Sequence, residues 1–555
     1  MGTEAEKAPA VGSDDPERST SSVGPQNDLV MYTGKVDAAE YGTLKRELKS
    51  RHVQFIAIGG MIGTGLFLGT GVALQRAGPL SIFMAYTIVG TVVFAMVQSL
   101  GEITTWLPIS GGLTVYAYRY ADPAMGFAMG WNYAVSAAVV LCAEISAASV
   151  IIGYWDDTIH VGVWIAIILV VIAALNAFVV GGYGEAEFIF ASFKVITIIG
   201  LLILAIIIDL GGGPDKDRRG FRYWKNPGAM KEYLVTGDAG RFCGFLKSFV
   251  NAVFAFLGAE VIAVCSCETK HPRKNIPKAV RRTFWRILFF YVFGVLAIGV
   301  LIPYDDPSLK AALENGAKGA AGSPWVVAIQ NAGIKGLPHI INAVILSSAW
   351  SCGNSFAYAG SRNLYALAIS GSAPKIFAKC TKRGIPIYAV GAIIAFGLLS
   401  FLNVGRSSTV VFGWFVNVTT ISGLFNWFTL GVSYVRFRKG MEVQGISRDL
   451  MPFRGWFQPY AAWYTIIMSG SLILLTGFDV FFTGNFTVAG FFSSYSGVLL
   501  YLVPYVFHKL HYNEKQVSYH DMDFFTGKAE VDRDEREHVP PEPRNVWEKI
   551  WFAIA

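Results

Sequence analysis

The segment Gly59-Gly60-Met61-Ile62-Gly63-Thr64-Gly65 lies inside an apolar block. It is too rich in glycine for a continuous helix, in which each glycine costs about 1 kcal/mol relative to alanine. A helix broken there frees backbone N–H and C=O groups where water does not reach. Such a break persists only where a ligand, water or protein supplies partners. An amino acid supplies both kinds. Amides at the start of the second half-helix, near Gly63, Thr64 and Gly65, suit a carboxylate, aided by the positive end of that half-helix. The freed carbonyls suit an ammonium. The competing explanation is close packing of small residues between helices, and the glycine density exceeds what packing alone asks for. A weaker interruption, with one glycine and a carboxylate, is Phe254-Ala255-Phe256-Leu257-Gly258-Ala259-Glu260.

Ionisable residues inside apolar blocks are few, and each costs at least about 2.5 kcal/mol at mid-bilayer unless paired or functional. Lys194 stands in Phe190-Ala191-Ser192-Phe193-Lys194-Val195-Ile196. A buried lysine titrates readily, so Lys194 is a proton-coupling candidate, against the alternative of a side chain that snorkels to the interface. Glu102, Glu144 and Glu260 are the acidic candidates. Glu102, near the end of its block, fits a structural ion pair as well as a gate. Glu144 is deeper and expected in a cavity. Glu260 either caps its interrupted helix or takes part in coupling. Among the aromatics, Phe254 sits at the second interruption, where a flat side chain can close over a ligand. Trp350 is a second gate candidate, against core packing.

The elements that position these residues follow from composition. With 53% hydrophobic and 15% charged residues and a mean hydropathy of +0.45, the chain has more apolar surface than one soluble core can bury. The apolar residues fall into blocks of the length that spans a bilayer as helix, so lipid is the expected solvent. Helices are expected over 53–74, 80–106, 124–153, 161–180, 188–208, 247–264, 283–302, 337–358, 385–402, 410–435, 460–478 and 486–507. The expected fold is therefore an all-α membrane protein of about twelve transmembrane helices, interrupted in the first and sixth. Residues 1–50 are polar and lack the apolar run of a signal peptide, and read as a disordered tail. Residues 51–510 form the membrane domain and 511–555 a second tail.

Basic residues set the orientation. Lys45, Arg46, Lys49 and Arg51 precede the first block, and Lys270, Arg273, Lys274, Lys278, Arg281 and Arg282 follow the sixth. Lys375, Lys379, Lys382 and Arg383, then Arg436, Arg438, Lys439 and Arg448, fall on the same side, which places both termini in the cytosol. The loop with Lys216, Arg218, Arg219, Arg222, Lys225 and Lys231 disagrees, although Asp215, Asp217 and Glu232 partly offset it. The net charge of +7 forms no aromatic-interleaved stripe, so no nucleic-acid partner is expected. Cys142, Cys265, Cys267 and Cys352 lie in apolar blocks, and Cys265-Ser-Cys267 lacks the second half of a zinc site, so neither metal nor cofactor is expected. No nucleophile elbow or paired carboxylate motif points to an enzyme.

Seven segments together carry a resemblance that runs nearly end to end. They are IGGMIGTGLFLGTG (58–71), SLGEITTWLPISGG (99–112), YADPAMGFAMGWNY (120–133), YGEAEFIFASFKV (183–195), HPRKNIPKAVRRTFWRI (271–287), SRNLYALA (361–368) and YVRFRKGMEVQGISRD (434–449). The chain resembles fungal amino-acid permeases of the amino acid, polyamine and organocation superfamily. That resemblance implies an inverted five-plus-five repeat with two added helices, alternating access, and proton-driven amino-acid uptake at the plasma membrane. It assigns Gly63, Thr64 and Gly65 to the substrate carboxylate, and the Met61 carbonyl with Ala255 and Leu257 at the second break to the ammonium. Phe254 becomes the gate, and Lys194 takes the place of a sodium ion in sodium-coupled relatives. Two positions depart from the family pattern. Ala255 stands where a serine is common, and Cys142-Ala143-Glu144 where proline often precedes the glutamate. The lost hydroxyl leans toward less polar substrates; proline, neutral and acidic amino acids all remain open. The expected partners are the amino acid, protons, the bilayer, and trafficking or ubiquitylation machinery at the N-terminal tail. A permease-like receptor is disfavoured by the short tail, and an amine carrier would leave the GTG segment without a purpose.

Overall fold

The computed structural model describes residues 48, 50–109, 111–156, 158–178, 180–314, 322–405, 408–537 and 545. Apart from Leu48 and Ser50, the expected N-terminal tail, with Lys45, Arg46 and Lys49, lies outside these residues, as does most of the stretch beyond 537. The described residues are helical, with two isolated β-bridges and no strand. In chain order the long helices are α1 (Gln54–Ala77), α2 (Pro79–Trp106), α3 (Pro123–Ile152), α4 (Val161–Phe178), α5 (Gly184–Asp209) and α6 (Gly237–Glu268). They continue with α7 (Pro272–Leu301), α8 (Leu337–Ile369), α9 (Ile387–Val404), α10 (Val410–Val443), α11 (Tyr460–Phe481) and α12 (Val488–Tyr512). Ten are long and apolar enough to cross a membrane. The other two are α4, which is shorter, and α8, which buries Asn342, Ser348, Ser351, Asn354, Ser355, Ser361, Arg362 and Asn363 and so loses apolar character.

Burial separates the helices into two kinds. The most apolar stretch of α6 is wholly buried and that of α1 nearly so, whereas α5, α9 and α12 leave most of theirs half-buried or exposed. On α5 the exposed residues include Ile196, Ile199, Ile203 and Ile206. A helix that is apolar on its outer face and not covered by protein needs lipid around it.

α1 and α6 are both interrupted. In α1 the helix runs to Met61, bends at Ile62 and Gly63, and resumes through a π-turn at Gly65–Gly69. In α6 the helix stops at Phe256, Leu257 turns to φ −57°, ψ 145°, and Gly258 takes φ +97°, a conformation that favours glycine. The two breaks touch. A methyl group on Gly258 would lie 2.7 Å from the Gly60 carbonyl oxygen, and one on Gly65 would lie 2.7 Å from Ala255 Cα. Packing therefore explains more of the glycine density than the sequence argument allowed. Gly59, Gly63 and Gly65 each lack room for a side chain, while Gly60 has ordinary van der Waals space.

One face of the molecule gathers the basic loops. There Leu48 pairs with the strand-like turn after α6, its N–H donating to Glu268 and its carbonyl accepting from Lys270. The C-terminal segment docks on the same face: Phe524 is fully buried against Tyr120 and Phe437, and the Trp106 indole donates to the Phe524 carbonyl. The stretch beyond α12 thus begins as packed structure rather than a free tail. In the discordant basic loop, Arg219 pairs with Asp215 and donates to the Leu301 carbonyl, Arg222 pairs with Asp217, and Lys231 donates to the Gln75 carbonyl. Of these charges Arg219 is buried, whereas Arg222 is exposed with Asp217 beside it, and Lys216, Arg218 and Lys225 are exposed.

Candidate functional site

The breaks of α1 and α6 enclose a cavity of about 10 Å³, room for roughly one water. Gly60, Met61, Gly63 and Gly65 of α1, Phe254, Ala255 and Leu257 of α6, Val140 and Glu144 of α3, and Cys352 and Phe356 of α8 line it. The structure thus brings together the α1 glycines, Glu144, Phe254, Ala255 and Leu257.

Breaking α1 frees four consecutive carbonyls, and each finds a side-chain donor from another helix. Lys194 Nζ of α5 donates to Gly59 at 2.8 Å, and Cys352 Sγ of α8 to Gly60 at 3.3 Å. Tyr291 Oη of α7 donates to Met61 at 2.8 Å, and Ser348 Oγ of α8 to Ile62 at 2.9 Å. The Met61 carbonyl, assigned by resemblance to an ammonium, is held by Tyr291 in this conformation. On the other side of the break the Thr64 N–H donates to the Glu144 carboxylate, at 3.3 Å and 3.2 Å to its two oxygens. A carboxylate of the protein therefore stands at the amide where the positive end of the half-helix points.

Lys194 is fully buried, so it does not snorkel. Glu187, seven residues before it on α5, is fully buried too, accepts from Ser351 Oγ at 2.5 Å, and fills the space beside Gly59. Sequence reasoning passed over Glu187, although it stands in the segment YGEAEFIFASFKV. Its spacing of two helical turns from Lys194 was the available signal.

Glu260 caps the α6 break: its carboxylate accepts from the Gly258 N–H at 3.3 Å and from Trp427 Nε1 of α10 at 3.4 Å. Glu102 is not brought to the breaks. It accepts from the Gly455 N–H and Tyr434 Oη, each at 2.6 Å, and pairs with Arg448, tying the end of α2 to the loop after α10. Trp350 is half-buried with its ring 6.2 Å from Phe190, among the α3–α4–α8 contacts rather than in the cavity. It lies two residues from Cys352, which puts it on another face of α8.

Phe254 meets Phe412 edge-on at 5.7 Å, and beyond that pair opens a cavity of about 530 Å³ with a mixed polar and apolar lining. Arg76, Tyr233, Asn251, Phe412 and Asn417 line it, with Lys247 paired to Asp479 at 2.7 Å. Burial and the nearby Asp479 carboxylate push the Tyr233 phenol up to about 12, so its hydroxyl stays a donor to Asp479. Toward the basic face the helices are locked by a buried Arg362–Glu268 pair at 3.1 Å, with Arg362 over the Tyr358 ring at 4.1 Å. No group of three or more His, Cys, Asp or Glu is placed to hold a metal among the described residues.

Residues 52–520 match the amino acid permease family. The chain is 46% identical to the proline-specific permease of Emericella nidulans over 518 residues, 93% of this chain and 94% of that one. It is 42% identical over 544 residues to the proline-specific permease of Saccharomyces cerevisiae, covering 94% and 87% of the two chains. It is 41% identical over 524 residues to the dicarboxylic amino acid permease of the same yeast, covering 94% and 86%. The chain is an integral membrane protein that belongs to the amino acid permease family and transports amino acids.

Proposed function

We propose that the protein takes up amino acids across the plasma membrane together with protons, with proline and other small neutral amino acids as its cargo. It works by alternating access of an inverted repeat, α1–α5 against α6–α10, with α11 and α12 added and both termini in the cytosol. The observation that carries this reading is the Glu144 carboxylate on the Thr64 N–H. A substrate carboxylate arriving at the amides of Gly63, Thr64 and Gly65 brings a second negative charge to one small site. Uptake of a proton by Glu144 removes that repulsion, and on this reading binding and protonation go together.

Lys194 supplies the second half of the coupling. While charged, its ammonium holds the Gly59 carbonyl and with it the first half of α1; on losing its proton it keeps only a weaker neutral donor and that hold loosens. Glu187 beside Gly59 is the carboxylate that balances the buried charge. Phe254, with Phe412, closes the cavity toward the outer face, and the substrate ammonium is received at the Met61 carbonyl and the α6 break once Tyr291 lets go. Val140, Phe254, Ala255, Leu257 and Phe356 offer an apolar wall and, apart from Glu144, no charge. That wall suits a side chain without charge, and two of the relatives are named for proline. The N-terminal tail is the segment offered to trafficking or ubiquitylation machinery.

The test is uptake of labelled proline by cells that lack their own permeases, with each other amino acid as competitor and a protonophore as control. Proline and small neutral amino acids are expected to compete, lysine and glutamate not, and the protonophore to collapse accumulation. Uptake indifferent to both protonophore and external pH would overturn the coupling. Equal competition by lysine would overturn the cargo.

A further inference from the structure

A groove of about 1130 Å³ runs between α5 and α7 on the outside of the bundle, away from the substrate cavity. Ile199 and Ile203 of α5 form one wall, and Trp285, Phe289 and Phe293 of α7 the other; all five are exposed. One end carries Arg282 and Arg286, four residues apart on α7 and therefore on one helix face. Arg282 donates to Gln54 at the start of α1. Arg286 is 8% exposed, and among the described residues it makes no hydrogen bond or ion pair; its buried Nη1 has no acceptor. Its neighbouring charge is Arg282, of the same sign. Asp209, at the far end of the groove, is turned to the Gly220 N–H.

A buried guanidinium without an anion is costly, and a second cation beside it makes it more so. We propose that the groove binds one anionic glycerophospholipid from the leaflet on the basic side. Its phosphate pairs with Arg286 and Arg282, and one acyl chain lies between α5 and α7. The dimensions agree: Arg286 to Leu296 covers about 15 Å of helix, the depth of one leaflet. A planar fork of donors is the side chain suited to a phosphate. Trp285 stands at the level where headgroup and chain meet, the usual place for tryptophan. Bound there, the lipid braces α5, which carries Lys194, and α7, which carries Tyr291, against the start of α1.

The experiment uses the full-length protein reconstituted in phosphatidylcholine vesicles with or without phosphatidylserine, followed by native mass spectrometry and thermal unfolding. Wild type is expected to retain phosphatidylserine over phosphatidylcholine and to unfold at higher temperature when it is present. Arg286→Leu should lower that preference roughly tenfold or more, the size of one lost hydrogen bond to a charged group. Ile203→Trp, which fills the groove and leaves both arginines, should do the same, and it decides the matter if Arg286→Leu does not fold. Inorganic phosphate should not displace the lipid. Equal retention of the two lipids by wild type, undiminished preference in Ile203→Trp, or displacement by phosphate alone would each overturn the proposal.

Discussion

At the α1 break the carbonyls of Gly59, Gly60, Met61 and Ile62 are held by Lys194, Cys352, Tyr291 and Ser348, which come from α5, α7 and α8. At the α6 break the support is Glu260, two residues from Gly258 in the same segment, and Trp427. The first break is wired to its surroundings and the second is capped largely by itself. A break held by several helices moves when they move, and a charge change at one holder is felt along the chain of partners. A self-capped break keeps its shape and presents what is attached to it, here the Phe254 ring. In the mechanism proposed above, α1 would sense protons and substrate carboxylate and α6 would supply the lid.

The largest effect is expected where the two breaks cross. Gly65→Val should abolish uptake, but its side chain would meet the Ala255 backbone, and such overpacking costs about 1–3 kcal/mol. Surface expression should fall with it, and a well-expressed Gly65→Val protein with normal uptake would contradict the packing shown here. Next in size is Glu144→Gln, which keeps the shape and removes the charge at the Thr64 N–H. Uptake should drop ~10- to 100-fold and lose its pH dependence, the effect of a charged hydrogen bond of about 1.5–3 kcal/mol; uptake measured from mildly acidic to neutral pH decides it. Phe254→Ala should raise the apparent KM by about 3–10-fold, in line with ~0.5–1.5 kcal/mol for an aromatic contact, with a smaller change in maximal rate. The smallest effect belongs to Gly60→Ala, whose methyl meets nothing closer than 3.8 Å. It should leave uptake within about twofold, since alanine suits a helix better than glycine.

Much of this was legible in the residues. Apolar blocks mark the helices, since a span needs a length of apolar residues whatever it packs against. Lys194 stood out as a lone cation in such a block, and its closeness to the broken part of α1 could be anticipated. The other holders could not. Cys352, Tyr291 and Ser348 are ordinary residues of distant helices, and only folding brings them to successive carbonyls. Glu102 finds Arg448 across 346 positions, a pairing that no local pattern announces. For Trp350 the residue type left a gate and core packing both open, and it packs beside Phe190 of α5 while Cys352, two residues on, lines the cavity. The glycines of α1 were legible as a break but not as a crossing, because their neighbours Glu187, Glu144 and Ala255 lie on three other helices.

The proposed coupling combines Glu144 at the Thr64 N–H with the hold of Lys194 on the Gly59 carbonyl, and Lys194 is where it is tested most directly. Purified wild-type and Lys194→Ala protein in vesicles, loaded with proline, should be compared in exchange without a gradient and in accumulation under an imposed pH gradient. Lys194→Ala is expected still to exchange proline but no longer to concentrate it or respond to pH, while Lys194→Arg, charged at every pH, should be locked and neither exchange nor concentrate it. A Lys194→Ala protein that concentrates proline with the wild-type pH response would contradict it.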